Sequence, residues 1–451
     1  MSLVLGGLLV ADVHGRAVFR AAAWTFCSKA VAAGAAFLLN VLLARHLGVE
    51  GYGLFSYVFS LTLMLTILSC FGLSQAATRF VAGYVIQEEW SLARGFVRWS
   101  RLLVLALSTG IGAGLAASTV LLSSAPTNER QALLIGSATV VIGSMMMVQA
   151  GILRGLKRVA SAELAESGGL RSLVAIPFFG AFLAYGGHLH SASQGMAVML
   201  LSTAFSLIAI TVVLGRVFPP QMRGCDGTYE VHGWLTTALP MFVIAAAVLA
   251  QSQISILMLR HLAPIEEVGA FAAAARLAML VGFGLGTVNA ALAPVVAEMY
   301  AVRRHKELQR IIYQMSLLTS AAALLVLLAG ITGGSYALEL FGPGFERGYL
   351  ALVILLSSEG FNALAGSTGC LMAMTGLQRA ASVIMVCSLI ANIALNALLI
   401  PGYGMAGAAV STLASTILWN VVMMLYLHVK ADIRSTFILM YFQHIMKLRA
   451  P

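Results

Sequence analysis

The sequence contains few charged residues for its length. Asp, Glu, Lys and Arg make up 10% of its 451 residues, whereas hydrophobic residues make up 60%. About a quarter of the residues are charged in a typical soluble domain, so this composition excludes a soluble globular protein. Uncharged apolar runs of about 20 residues are typical of membrane-spanning helices, and most of the chain consists of such runs. We therefore expect an all-α polytopic membrane protein.

The residue sets that carry out catalysis are also missing. The five cysteines include no Cys-x-x-Cys pair, which argues against a disulfide framework and against a zinc site. The sequence has no Gly-x-x-x-x-Gly-Lys-Ser/Thr motif for ATP and no recognisable Ser/His/Asp or Cys/His set. We therefore predict that the protein is not an enzyme and that it holds no metal and no cofactor.

Acidic residues are outnumbered by basic ones, 17 to 27, which gives a formal net charge of +10. An excess of this size raises the question of a nucleic-acid partner. The basic residues, however, are dispersed among short loops and form no aromatic-lined basic patch. Nucleic-acid binding is therefore not expected, and membrane topology explains the charge better.

The charge-poor runs predict twelve membrane-spanning helices. Two stretches are too long for one span each, and turn-forming glycine and proline residues divide them. The predicted spans are 17–44, 51–74, 102–124, 131–153, 168–186, 192–214, 234–258, 266–292, 311–331, 349–374, 378–400 and 404–428.

An even number of spans places both termini on the same side of the membrane. With this arrangement, 21 of the 27 Lys and Arg residues fall on the side of the termini, and four fall on the opposite side. Cytoplasmic loops are enriched in Lys and Arg, so both termini are predicted to be cytoplasmic.

Two polar elbows of similar sequence each connect a pair of spans. Arg45–Leu47 followed by Gly53–Phe55 corresponds to Arg260–Leu262 followed by Gly269–Phe271. Two further matches occur in the same order at a similar offset, which indicates an internal repeat. We predict two homologous six-helix lobes in parallel orientation, a plan that transporters use. The predicted domains are an N-terminal lobe at 1–214, a cytoplasmic linker at 215–233, a C-terminal lobe at 234–430 and a basic cytoplasmic tail at 431–451.

Three ionisable residues lie within predicted spans: Lys29, Arg276 and Glu359. A charge at that depth costs at least ~2.5 kcal/mol, so such residues normally face a watery cavity or a partner. Lys29 and Arg276 come from different lobes, which predicts a central cationic cavity that holds a phosphate or pyrophosphate headgroup. The alternative is that one of them forms a structural ion pair with Glu359.

Uncharged polar residues extend this candidate site. Asn40 lies on the same helical face as Lys29, and Gln251 and Ser255 share a face of the seventh span. We place all three in the central cavity as headgroup ligands. Polar residues of this kind could bind sugars or could merely link adjacent helices, and the sequence favours neither.

Four stretches resemble the bacterial polysaccharide-unit flippases. These proteins are the O-antigen and exopolysaccharide translocases of the multidrug/oligosaccharidyl-lipid/polysaccharide (MOP) exporter superfamily. The resemblance covers roughly residues 16–430 and is carried by Leu39–Gly53, Thr78–Ala82, Arg154–Leu156 and Leu399–Ala409.

The resemblance implies two lobes that enclose a V-shaped cavity and work by alternating access. It implies transfer of an undecaprenyl-pyrophosphate-linked oligosaccharide from the inner to the outer leaflet of the bacterial cytoplasmic membrane. It also implies a monomer that works beside a glycan polymerase or export machinery. Coupling to H⁺ or Na⁺ is left open, and Glu359 is the only acidic candidate at depth.

The elbows give a further expectation for two arginines. Arg45 and Arg260 occupy equivalent positions, so both are expected at the outer rim of the cavity. There they would pair with acidic neighbours, which are Glu50 for the first and Glu266 or Glu267 for the second. Alternatively, they would meet the departing pyrophosphate.

The nearest competing function is a MATE-like drug or cation antiporter of the same superfamily. Such antiporters tend to carry acidic residues for a cationic substrate, whereas two cations and one acid are predicted here. A glycan ligase or polymerase belongs to a different class and would present catalytic residues on a long outer loop. The longest predicted outer loop, 332–348, carries no such set.

Overall fold

The computed structural model describes residues 13–121, 126–166, 169–184, 191–302 and 304–436, and these are almost entirely helical. The α-helices are α1 (Val13–Cys70), α2 (Leu73–Ile86), α3 (Trp90–Leu121), α4 (Thr127–Gly155), α5 (Val159–Glu166), α6 (Gly169–Ala184), α7 (Ala192–Val217), α8 (Pro220–Gly224), α9 (Val231–Leu262), α10 (Ile265–Ala301), α11 (His305–Glu339), α12 (Tyr349–Ala365), α13 (Thr368–Met374) and α14 (Gln378–Ala431). A 3-10 turn at Phe345–Gly348 leads into α12.

Each of the twelve predicted spans coincides for most of its length with described helix, although 349–374 crosses the break between α12 and α13 and 51–74 runs from α1 into α2. The ends of 102–124 and 168–186 lie outside the described residues. Eight helices in the described part of the chain are long and apolar enough to cross a membrane. Two of them, α1 and α14, are broken by a glycine, so each corresponds to two predicted spans. The shorter α6 and the long α10 correspond to the two spans that remain. The prediction of an all-α protein with twelve spans is confirmed.

The two breaks are more compact than the sequence predicts. Gly48 has φ 67° and ψ 177°, and Gly404 has φ 56° and ψ −134°. Positive φ strains every residue with a Cβ, and glycine adopts it freely. One glycine therefore redirects the chain where a loop of several residues was expected, and helix continues on both sides of it.

The chain forms two compact units, and the first comprises Met1–Asn40, Leu65–Leu189 and Ser193–Phe242. Its core joins α2, α3, α4 and the start of α9 through Leu73, Phe96, Ile152 and Trp234. The Trp234 indole N–H donates to the Tyr84 hydroxyl over 2.9 Å, which satisfies the only polar atom of this buried side chain.

The predicted linker at 215–233 is an ordered part of this first unit. It contains α8 and packs on the start of α3, where the Thr228 N–H donates to the Ser91 carbonyl over 3.1 Å. The Arg94 guanidinium donates to the Arg223 carbonyl over 2.6 Å. These bonds satisfy backbone groups that an extended linker would otherwise leave to water.

The second unit comprises Val41–Met64, His190–Ala192 and Val243–Pro451. The second half of α1 packs here, because the Tyr52 ring lies 6.4 Å from Phe341 and 5.7 Å from Phe345 between centroids. The predicted N-terminal lobe, 1–214, includes this half of α1, whereas the second compact unit contains Val41–Met64. The limits of the two lobes stay a prediction. After α14 the chain is fixed to α11, since the Gln309 side chain both donates to and accepts from the Arg434 backbone. Most of the predicted tail, 437–451, lies outside the described residues.

Candidate functional site

The two elbows meet through equivalent glycines. Gly53 of α1 lies against Gly269 of α10, and a Cβ on Gly53 would come within 2.9 Å of the Gly269 nitrogen. The same Cβ would collide with the Ile265 carbonyl, and a Cβ on Gly269 would collide with the Val49 carbonyl. Only glycine permits backbones to approach this closely in a membrane helix pair. The elbows that indicate the repeat therefore form one helix crossing.

Arg276 lies on α10, two turns beyond this crossing. It interacts electrostatically and through its side chain with the Tyr52 hydroxyl, and its Nη1 lies 3.8 Å from the Met279 sulfur. Tyr52 is completely buried and is held by the rings of Phe341 and Phe345. The tyrosine thus lies beside a half-buried guanidinium in α10, and the role of Arg276 in a central cavity stays a prediction.

The other predicted cation, Lys29, lies in α1, but its side chain is outside the part of the chain that the structure describes. Its place in a shared cavity with Arg276 remains a prediction. Asn40 follows on the same helix, and its amide donates to the Ala36 carbonyl over 2.7 Å. That contact is local, so it indicates no ligand.

Glu359 lines a cavity of about 520 Å³ inside the second unit. The carboxylate interacts with the Asn362 side chain, and Gly282 leaves room for it, since a Cβ there would lie 3.0 Å from Oε2. Among the described side chains, Glu359 has no cationic partner, so the alternative of an ion pair is not found for Arg276. For Lys29 the alternative stays open, because its side chain lies outside the described residues. The cavity's other polar lining comes from Gln251, Ser252, Gln378, Ser382, Thr412 and Thr416.

Gln251 and Ser255 join a buried polar network between α9 and α14. The Gln251 amide donates to the Ser415 hydroxyl over 2.8 Å, and Ser255 lies 3.1 Å from the Thr412 hydroxyl. Asn396 completes the network by donating to Ser255 over 3.2 Å. The sequence leaves two roles open for these residues, sugar binding and a link between adjacent helices. For Ser255 the structure favours the link between helices. Gln251 also lines the cavity, and its Oε1 is buried without a hydrogen bond, so its role as a headgroup ligand stays a prediction.

The structure describes one contact for each of the two arginines that are expected at the rim. Arg45 Nε donates to the Leu340 carbonyl over 2.6 Å, just after α11. The Arg260 guanidinium lies 5.9 Å from the centroid of the Tyr57 ring, a cation–π distance. Glu267 instead accepts the Met405 N–H over 2.6 Å and so caps the helix that restarts after Gly404.

Sequence reasoning missed Asn392, Asn396 and Tyr52. The two asparagines are completely buried, and Asn396 donates to Asn392 over 2.6 Å. Their spacing of four residues inside an uncharged run is a usable signal, because it places two amides on one face of a membrane helix. Tyr52 stands within the first elbow, but only the folded chain brings it to Arg276.

Comparison with known proteins shows the relatives of this chain. The model of the family described as polysaccharide biosynthesis protein matches residues 18–300, more than half of the sequence, and the MatE model matches residues 240–398. No curated protein matches the sequence.

Solved structures share the fold at low identity. A multidrug resistance MATE family transporter of the MOP superfamily is 17% identical with a TM-score of 0.69, over 89% of this chain and 93% of that one. The lipid II flippase MurJ is 15% identical with a TM-score of 0.64, over 90% and 86%. A MOP superfamily transporter from Pyrococcus furiosus is 19% identical with a TM-score of 0.59, over 93% and 96%. The chain therefore belongs to the polysaccharide biosynthesis protein family and has the fold of MOP superfamily transporters.

Proposed function

We propose that this multi-pass membrane protein is a flippase for a lipid-linked oligosaccharide. It would move an undecaprenyl-pyrophosphate-linked repeat unit from the inner to the outer leaflet of the bacterial cytoplasmic membrane by alternating access. The observation that supports the proposal is Arg276, a guanidinium that interacts with the buried Tyr52 hydroxyl within the apolar helix α10. A guanidinium presents paired donors that match phosphate oxygens, and in low dielectric it binds them strongly.

A second candidate, a drug or cation antiporter, also has a specific observation in its favour. Glu359 places a carboxylate without a described cationic partner in a cavity of about 520 Å³. The MatE match covers this region. A cavity of mixed polarity with one acid suits an organic cation, whereas Arg276 suits an anion.

Vesicles reconstituted with the purified protein distinguish the two candidates. The first assay uses a fluorescent undecaprenyl-diphosphate trisaccharide and an impermeant reductant that bleaches label only in the exposed leaflet. A flippase is expected to make the label of both leaflets accessible, whereas protein-free vesicles keep one leaflet protected. Protein-dependent ethidium transport with the lipid label still protected would support the antiporter and overturn the flippase.

We further propose that Glu359 couples flipping to an H⁺ or Na⁺ gradient. Its carboxylate is the ionisable group of the cavity, and Gln251 and Asn362 supply neutral oxygens nearby. An imposed gradient is expected to accelerate flipping by the wild type, and Glu359→Gln is expected to flip at one gradient-independent rate. Ser252→Ala, which changes the same cavity without changing charge, serves as the control. A full gradient response in Glu359→Gln would exclude this role.

The proposed orientation has both termini in the cytoplasm, and the excess of basic residues in the loops on that side supports it. A cysteine at position 46, in an otherwise cysteine-free chain, should react with an impermeant maleimide added outside the cell. If that cysteine reacts only after the cells are opened, the orientation is the opposite of the one proposed.

A further inference from the structure

Two neighbouring apolar cavities of about 170 Å³ and 180 Å³ lie along α11 in the second unit, and together they are called the groove. Leu280 and Val326 line both cavities. The lining of the groove contains no charged side chain and consists mainly of leucine, valine, alanine and glycine. Leu280, Leu318 and Val326 are 47%, 58% and 41% exposed, so the groove opens on the surface of the helices.

The length of the groove matches the apolar part of a bilayer. On α11 its lining extends from Leu318 to Ala337. At about 1.5 Å per residue this segment is roughly 29 Å long. The hydrocarbon core of a bilayer is about 30 Å thick, so the groove can follow one extended hydrocarbon chain through it.

Glycines give the groove its depth. Cβ atoms on Gly330 and Gly334 would meet Leu356 and Leu352 of α12, so these two glycines let the helices pack closely. Gly333 differs, because a Cβ there would meet no atom within 4 Å. A side chain at position 333 would therefore enter the groove and leave the protein packing unchanged.

The groove and the proposed headgroup ligand share helix α10. Leu277 and Leu280 line the groove from α10, and Arg276 lies one residue before Leu277 and one turn before Leu280. A lipid whose phosphate meets Arg276 could thus lay its tail along α11 without leaving the protein surface.

We propose that this groove holds the polyprenyl tail of the lipid-linked substrate while Arg276 holds its pyrophosphate. The inference rests on the proposed flippase function. The groove has room for one long hydrocarbon tail, and the cation binds a diphosphate. Together they favour a lipid with a single tail and a diphosphate headgroup. A phospholipid differs in both respects, because it carries a second acyl chain and only one phosphate.

Photolabelling of the purified full-length protein tests this occupant. The probe is an undecaprenyl diphosphate that carries a diazirine on its tail, and labelled peptides are mapped by mass spectrometry. Labelling is expected on residues 318–337, with competition by unlabelled undecaprenyl diphosphate and not by phosphatidylglycerol. Equal competition by phosphatidylglycerol would identify ordinary annular lipid and overturn the proposal, as would labelling that avoids this segment.

Two variants fill the groove from its two halves. Gly333→Leu and Ala322→Leu each displace about two methylene groups of a bound tail, which corresponds to roughly a tenfold loss of labelling. Ala321→Leu is the matched control, because Ala321 is an exposed neighbour on α11 that does not line the groove. Unchanged labelling in both groove variants would refute the site.

The flipping assay separates this inference from the proposed function. If the wild type flips the lipid and Gly333→Leu flips it at the same rate with the same labelling, the groove fails and the function stands. If the wild type does not flip the lipid, the proposed function fails whatever the labelling shows.

Discussion

Replacement of Arg276 by alanine is expected to abolish glycan export while the protein remains in the membrane at its normal level. The substitution removes the guanidinium that interacts with the Tyr52 hydroxyl. Loss of two charge-assisted hydrogen bonds, each worth roughly 1.5–3 kcal/mol, corresponds to at least about a hundredfold loss of headgroup affinity. Complementation of a deletion strain, with protein quantified by immunoblotting, measures the effect.

Conservative variants at position 276 identify the cause. Arg276→Lys keeps the charge and is expected to retain partial export, whereas Arg276→Gln keeps a polar side chain without the charge and is expected to lose export. The predicted partner cation gives a second test, because Lys29→Ala should have the same phenotype if both residues bind one headgroup. Full export by both alanine variants would contradict the prediction of a cationic cavity.

Substitution at the glycine crossing is expected to have the largest effect on stability. In Gly53→Ala the new methyl group would collide with the Ile265 carbonyl, so α1 and α10 must separate. Overpacking of this kind typically costs about 1–3 kcal/mol, and the contact here is with rigid backbone. Purified Gly53→Ala should therefore unfold at a clearly lower temperature than the wild type in a thermal-shift assay.

Gly34→Ala provides the matched control, since Gly34 lies in the same helix and a Cβ there would meet no atom within 4 Å. Alanine is the better helix former, so this variant should be as stable as the wild type or slightly more stable. Gly269→Ala should resemble Gly53→Ala, and the double variant should cost less than the sum because both methyl groups open one contact. An unchanged melting temperature in Gly53→Ala would show that the crossing is not tightly packed.

Periodicity and charge are enough to locate the helices, because each span needs about 20 apolar residues and each loop interrupts them. The elbows stand out for the same reason, and the Arg-His-Leu that they share is enough to indicate the repeat. Gly48 and Gly404 are harder to anticipate. Whether a glycine adopts positive φ or stays helical depends on the packing around it, and the sequence does not record that packing.

The candidate site is only partly predictable. Membrane depth singles out Arg276 and Glu359, since each charge there needs a special environment. The sequence could not assign their partners, because only the fold brings Tyr52 to Arg276 and Asn362 to Glu359. The same is true of Asn396, which donates to Ser255. The groove on α11 is invisible in the sequence for a similar reason: alanine and glycine line it, and a segment rich in them resembles any other membrane helix.

The meeting of Gly53 with Gly269 bears on the symmetry of the two elbows. A contact between equivalent positions is self-complementary, and identical chains make such contacts across a two-fold axis. Each elbow therefore presents to the other the surface that a second copy of itself would present. The remaining contacts of the two elbows differ, since Arg45 bonds a carbonyl after α11 whereas its counterpart Arg260 lies over the Tyr57 ring.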